Sequence, residues 1–246
     1  MAGRTLAGDR PARRGAAPGR LLLDPWRPAP AWQPPAAVDA DLWRFRLDLP
    51  AVDRRRLCAL LNADERARAE RLRARRQAER FSIARGRLRQ ILSRYLPLPP
   101  QDLVFVAGHY GKPALAPASG APVHFNLAHA GDWGLVVVTM AAEVGVDLER
   151  IDPHSDYLPM ASRYFDETEQ ETLRAVSAAR RRRQFYRLWT RKEARLKQRG
   201  TGFAGGSVEE EGDPVIVVRS VPVAPGYPAA VALAGPVSRL RRWSLD

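Results

Sequence analysis

Two acidic residues, Asp147 and Glu149, lie two positions apart in the largely apolar segment 144-VGVDLERI-151. In a β-strand such residues point to the same face, so the two carboxylates are expected side by side. They repel each other unless a cation lies between them, and Mg²⁺ is a hard ion that takes a few carboxylate oxygens as ligands. The same alternation is typical of an exposed edge strand, so this pair alone leaves a metal site and a structural strand both open.

A third carboxylate, Glu193, lies in the segment 185-FYRLWTRKEARLKQRGTGF-203, where Lys and Arg residues flank it. Trp189, Glu193 and Lys197 follow one another at four-residue spacing, which places them on one face of a helix. Glu193 and Lys197 fit an ordinary helix-surface ion pair contributing about 0.2–0.5 kcal/mol. The alternative is that the basic face is arranged around Glu193, and the helix by itself does not decide between the two.

The segments 110-YGKP-113 and 123-VHFNLAHA-130 form a third cluster. A Gly-Lys turn exposes backbone N–H groups beside an ammonium group, which favours an anion. His129, at the end of the predicted strand, can donate a hydrogen bond to a phosphate when it is protonated. A tight hairpin turn and a structural histidine are the alternative. His124 and His129 face opposite sides of a strand, which argues against a zinc pair.

In this order and spacing, the motifs resemble those of the 4′-phosphopantetheinyl transferases, in particular the broad-specificity Sfp type associated with polyketide and nonribosomal peptide synthesis. The family signature is G-[VI]-D-[LVI]-E, followed further along the chain by W-x-x-K-E-A-x-x-K. The YGKP turn and the FNLAH strand are similar to the two motifs that precede it, and the resemblance spans residues 40–235. The matching signature residues are Gly145, Asp147, Glu149, Trp189, Lys192, Glu193, Ala194 and Lys197.

The resemblance implies that the arm of coenzyme A is transferred to a serine of an acidic apo acyl or peptidyl carrier protein, with release of adenosine 3′,5′-bisphosphate. It implies a Mg²⁺ or Mn²⁺ ion on Asp147, Glu149 and Glu193. Glu193 is the expected base for the serine, and Lys197 and His129 are expected to offset negative charge during the reaction. The expected coenzyme-binding residues are Arg80, Tyr110, Gly111, Lys112, Pro113, His129 and Lys197.

The histidine strand departs from the family pattern. The family usually has N-x-S-H-S at this place, whereas this chain has 126-NLAHA-130, with Ala128 and Ala130 in place of both hydroxyls. A missing hydrogen bond to the coenzyme would cost about 0.5–1.5 kcal/mol. We therefore expect a lower affinity for coenzyme A and an unchanged reaction type.

The elements that must position these residues follow the order strand, helices, strands, helices, strands, which predicts an α+β fold. The pattern divides into two α+β halves of similar size, 37–141 and 142–246. The resemblance implies that the halves are related by a pseudo-twofold axis, with coenzyme A in the cleft between them. Residues 1–36 are rich in Arg, Ala and Pro and poor in aliphatic residues, which predicts a flexible tail.

Composition limits the class of protein. The formal charge of +13 favours a polyanionic partner. A nucleic-acid-binding protein would interleave stacking aromatic residues with basic ones, but the Arg-rich segment 64–94 has only Phe81. The three carboxylates argue against the other alternative, an inactive carrier-binding homologue. A single cysteine, Cys58, excludes an internal disulfide and fits a reducing, cytoplasmic setting. No apolar run predicts a membrane span, and a chain with two such halves is expected to work as a monomer.

Overall fold

A computed structural model describes residues 21–30, 39–108, 112–116, 122–200, 215–235 and 237–245. Within these residues the chain has a mixed α+β fold, which confirms the predicted class. The strands are β1 (Leu22–Pro28), β2 (Asp39–Arg46), β3 (Phe105–Ala107), β4 (Pro113–Leu115), β5 (His124–Ala130), β6 (Trp133–Thr139), β7 (Val144–Leu148), β8 (Ile216–Ala224), β9 (Tyr227–Ala234) and β10 (Arg239–Leu245). The helices are α1 (Ala51–Ala59), α2 (Ala63–Glu70), α3 (Arg75–Leu92), α4 (Leu158–Tyr164), α5 (Glu167–Arg174) and α6 (Ala178–Arg199), with a 3₁₀ turn at Pro100–Asp102.

Two sheets carry most of the core. One has five strands in the order β1-β10-β2-β6-β5, and the other has three in the order β7-β9-β8. The strands β7, β8 and β9, which follow residue 141, form the three-stranded sheet. The last strand, β10, instead joins the five-stranded sheet and pairs in parallel with β2. The strands β5 and β7 are edge strands of their sheets and lie against each other.

The return of β10 depends on a buried carboxylate. Asp41 on β2 is 1% exposed. It accepts hydrogen bonds from the Arg241 guanidinium at 2.6 and 2.7 Å, from the Trp243 indole at 2.9 Å and from the Tyr95 hydroxyl at 2.6 Å. A buried charge is tolerated only when it is paired and hydrogen-bonded, so these partners fix β10 beside β2.

The N-terminal segment differs from the predicted flexible tail. Residues 22–28 form β1, which pairs in parallel with β10. Most of its side chains are exposed or only partly buried, so backbone pairing rather than apolar burial holds it in place. The prediction of a flexible tail was based on side-chain composition alone and so did not include the backbone pairing of β1 with β10. The other parts of the predicted tail, 1–20 and 31–36, lie outside the described residues.

In 79-ERFSIARGRLRQILSRYL-96 an apolar residue recurs every three or four positions, which predicts a stripe facing the core and places Arg89 mainly off it. The helix α3 covers the five-stranded sheet with this stripe, in which Leu88, Ile91 and Leu92 are fully buried. Phe81 from the stripe is only partly buried. Arg89 lies off the stripe, yet its side chain is 0% exposed. Its Nε donates to Glu65 of α2 at 2.8 Å, and this ion pair is what allows the guanidinium to be buried.

Among the described residues, no helix combines the length and apolarity that crossing a membrane requires.

Candidate active site

The close approach of α6 to β7 brings the two carboxylate motifs together. A Cβ atom on Gly145 would lie 2.0 Å from the carbonyl oxygen of Ala194 and 2.4 Å from the backbone nitrogen of Gln198. Only glycine lets the helix backbone come this near to the strand. Ala194 is 0% exposed and packs with the small side chains of Ala230 and Ala232 on β9. The small residues of the two motifs thus set the distance between β7 and α6.

Asp147 and Lys197 meet across this contact. Lys197 Nζ donates to Asp147 Oδ1 at 2.5 Å, joining α6 to β7. Asp147 is 3% exposed, and its second oxygen, Oδ2, is buried without a hydrogen-bond partner. A buried carboxylate oxygen without a partner is costly, and this oxygen has the chemistry of a ligand for a hard cation. A helix-surface pair would join Lys197 to Glu193 only, whereas here the ammonium of Lys197 contacts Asp147 on β7.

Glu149 follows β7 and continues its pairing, since its N–H donates to the Pro228 carbonyl at 3.0 Å. Burial raises the pKa of Glu149 to about 7, together with the negative charges of Asp147 and Glu193. Lys197 and a hydrogen bond from the Trp189 indole act in the opposite direction and are outweighed. At neutral pH this carboxyl group is therefore only partly ionised.

Glu193 on α6 shows the same conflict. Its pKa is raised by burial and by the charge of Asp147, while Lys197 opposes the change. The three carboxylates predicted to bind a metal therefore interact with one another, and the ammonium of Lys197 acts on both glutamates and pairs with Asp147. Mutual repulsion of this kind is what a divalent cation would relieve.

The donor chemistry fits a hard divalent ion, but the side chains do not yet form a ligand set. Among the described residues, no group of three or more His, Cys, Asp or Glu side chains is arranged so that it could hold a metal ion. Lys197 supplies the positive charge next to Asp147 instead. Asp147 Oδ2 is buried and without a hydrogen-bond partner, which fits a ligand of a divalent ion. Glu149 and Glu193 are only partly buried.

Three of the predicted phosphate-binding residues, Arg80, His129 and Lys197, are linked through the electrostatics of His129. Although His129 is exposed at the end of β5, the protein atoms around its ring lower its pKa, and the charges of Lys197 and Arg80 lower it further. Arg80 on α3 pairs with Asp132 in the β5–β6 turn, where Arg76 also lies 3.4 Å from the same oxygen. The structure thus brings His129 within electrostatic reach of both Lys197 and Arg80.

The YGKP segment is only partly described. Tyr110 and Gly111 lie outside the described residues, while Pro113 begins β4. The Lys112 ammonium contacts Glu143 at 2.6 Å and the carbonyl oxygen of Val144 at 3.0 Å.

Asn126 belongs to the FNLAH strand motif, but the family resemblance gives it no role. Its side-chain oxygen accepts a hydrogen bond from the N–H of Val146 at 2.9 Å and so links β5 to β7. Asn126 is 5% exposed. An amide between Phe125 and Leu127 in an otherwise apolar strand needs a partner when buried, and this was the signal available in the sequence.

Two further residues have clear places. Ala128 is buried in the apolar cluster that also contains Leu135 and Val146, so a serine hydroxyl at this position would face the core. Lys192, whose role was open, pairs with Glu169 of α5 at 2.9 Å and ties α5 to α6.

Comparison with known proteins places this geometry in a family. A model of the 4′-phosphopantetheinyl transferase superfamily matches residues 143–211, which include β7 and the whole of α6. The Synechocystis protein slr0495 is 38% identical over 165 residues, covering 67% of this chain and 66% of that protein. The 4′-phosphopantetheinyl transferase HetI of Nostoc is 36% identical over 185 residues, covering 75% of this chain and 78% of HetI. The 4′-phosphopantetheinyl transferase Sfp of Bacillus subtilis is 28% identical over 203 residues, covering 76% of this chain and 88% of Sfp. The motifs, the packing that joins them and these relatives agree: the chain belongs to the 4′-phosphopantetheinyl transferase superfamily.

Proposed function

We propose that this protein transfers the 4′-phosphopantetheine arm of coenzyme A to a serine of an apo acyl or peptidyl carrier protein, giving holo carrier protein and adenosine 3′,5′-bisphosphate. The observation that carries the proposal is the convergence of Asp147, Glu149 and Glu193 with Lys197 at the contact of β7 and α6. Two relatives, 36% and 28% identical to this chain, bear the name of this activity. The class of reaction is phosphoryl transfer, in which positioning and charge neutralisation supply most of the catalysis.

A divalent ion, Mg²⁺ or Mn²⁺, would be held by Asp147, Glu149 and Glu193. When bound, such an ion neutralises pyrophosphate oxygens and orients the leaving group. The support for this role is the partnerless Oδ2 of Asp147 and the mutual repulsion of the three carboxylates. Lys197 would then release Asp147 and turn its ammonium toward the coenzyme.

Lys197, His129 and Arg80 would receive the phosphates of the coenzyme. Lys197 pairs with Asp147, and the charges of Lys197 and Arg80 both act on His129. A neutral His129 gains a proton when an anion arrives, because the nearby negative charge raises the pKa of the imidazole. Lys112 and Pro113, with Tyr110 and Gly111, would border the nucleotide end.

Glu193 is the proposed base for the serine hydroxyl, directly or through a water molecule. A general base must lie within hydrogen-bond reach of the proton that it accepts, and Glu193 lies on α6 one turn before Lys197, at the contact with β7. The partner is proposed to be an acidic carrier protein, since the charge of +13 would steer such a partner toward the enzyme.

The proposal is tested by incubating the purified protein with Mg²⁺, coenzyme A and apo carrier proteins of the fatty-acid, polyketide and peptide types. We expect one phosphopantetheine mass on at least one carrier, with release of adenosine 3′,5′-bisphosphate. The variant Glu193→Gln should lose turnover and keep its fold.

Glu79→Gln is the matched control, because Glu79 pairs with Arg75 at the exposed surface of α3. No mass change on any of the three carrier types would refute the proposal. Carrier binding without transfer would identify the protein as an inactive homologue.

A further inference from the structure

Lys112 lies at a junction of three elements. Its Nζ is 2.6 Å from Glu143 Oε2, 3.0 Å from the carbonyl oxygen of Val144 and 3.5 Å from the carbonyl oxygen of Gln198. Val144 begins β7, and Gln198 is in the last turn of α6 next to Lys197. The Lys112 side chain is 16% exposed, so this ammonium is largely withdrawn from water.

Glu143 extends the junction to β5. Its other oxygen, Oε1, lies 2.9 Å from Nδ1 of His124, the first residue of β5. Burial would raise the pKa of Glu143, but the hydrogen bonds from Lys112 and His124 outweigh it and lower that pKa. Glu143 is therefore ionised at neutral pH and holds the Lys112 ammonium in place.

The junction connects the elements that carry the candidate active site. The strand β5 carries His129, β7 carries Asp147, and α6 carries Glu193 and Lys197. An ammonium group has three donors and no acceptor, and Lys112 already faces three acceptors within 3.5 Å. A phosphate contact from this ammonium would require it to abandon one of them.

We propose that Lys112, oriented by Glu143, is a positioning residue that fixes β5, β7 and α6 relative to one another, and that its ammonium is not a ligand of the coenzyme phosphates. The inference rests on the proposed function and refines it. A positive charge beside the last carbonyls of α6 also favours the C-terminal end of that helix. Glu143 acts through Lys112 and touches neither substrate.

The test compares coenzyme A with 3′-dephospho-coenzyme A as substrates for wild type, Lys112→Met and Glu143→Gln. We expect Lys112→Met to lower kcat/KM for both substrates by the same factor, about tenfold or more, because misplacing catalytic groups costs both reactions alike. Most of the loss should appear in kcat. Glu143→Gln should act in the same direction, and Glu143→Asp should recover part of the activity. Asp53→Asn, which breaks the exposed Arg56–Asp53 pair, is the matched control and should behave as wild type.

A direct phosphate ligand would give a different result. Lys112→Met would then lose far more activity with coenzyme A than with the dephospho compound, and that outcome would overturn the inference. Wild-type kinetics in Lys112→Met and Glu143→Gln would also overturn it. An inactive wild type would instead count against the proposed function. If Lys112→Met does not fold, Glu143→Gln carries the same comparison, and its hydrogen exchange at the Val146 amide should be faster than in wild type.

Discussion

Replacing Glu149 with glutamine is expected to stabilise the metal-free protein while abolishing its activity. Glutamine keeps the shape of the side chain and an oxygen that can accept the hydrogen bond from the Trp189 indole. It removes the negative charge that burial, Asp147 and Glu193 all disfavour. The same charge is proposed to be needed for the metal ion, so the change separates stability from function.

The size of the effect follows from the pKa of Glu149. A change from 4.5 to about 7 corresponds to about 3 kcal/mol. Because Glu149 is only partly buried, solvent screening reduces this to about 1–2 kcal/mol. The folded protein binds the proton more tightly than the unfolded chain does, so ionisation destabilises the fold. Below pH 4.5 the group is protonated in both states and the penalty is absent; the penalty grows as the pH rises and is complete above about 7.

The measurement is urea unfolding of wild type and Glu149→Gln with a metal chelator at pH 5 and pH 8. The variant should exceed wild type in free energy of unfolding by about 1–2 kcal/mol at pH 8 and by much less at pH 5. Saturating Mg²⁺ should shrink or reverse the difference, since binding to the native state stabilises wild type more. Glu79→Gln, at the exposed Arg75–Glu79 pair, is the control. Equal stabilities at pH 8, or an advantage equally large at pH 5, would refute the reasoning.

Two other changes test the packing beneath the site. In Gly145→Ala the new Cβ would lie 2.0 Å from the Ala194 carbonyl oxygen, so α6 must move by about 1 Å. Such a displacement of catalytic groups should lower turnover about 100-fold. Steady-state kinetics within threefold of wild type would contradict this. Asn126→Ala leaves the buried Val146 N–H without an acceptor and should lower the free energy of unfolding by about 1–3 kcal/mol in a urea titration. An unchanged unfolding midpoint would show that the link between β5 and β7 contributes nothing.

Patterns that repeat over a few residues were readable in the sequence alone. The Asn62 cap of α2 is present, with its side chain accepting from the Glu65 N–H at 2.9 Å, and the strand and helix classes of β7 and α6 are as predicted. These features depend on neighbours along the chain, so local spacing is enough to specify them. The residue types of the carboxylate motifs likewise indicated their chemistry before any fold was known.

Only the tertiary structure decided which distant groups meet. Nothing near Arg89 in the sequence shows that Glu65 neutralises it, and nothing near Lys112 shows that Glu143 and the end of α6 receive its ammonium. The pairing of β10 with β2 joins residues about two hundred positions apart through Asp41 and Arg241. For Glu193 the helix alone favoured a surface ion pair with Lys197, and only the family resemblance favoured a site carboxylate. The contact of Gly145 with α6 brings Glu193 within electrostatic reach of Asp147. The role of a charged side chain depends on its neighbours in space, and these are fixed only by the tertiary structure.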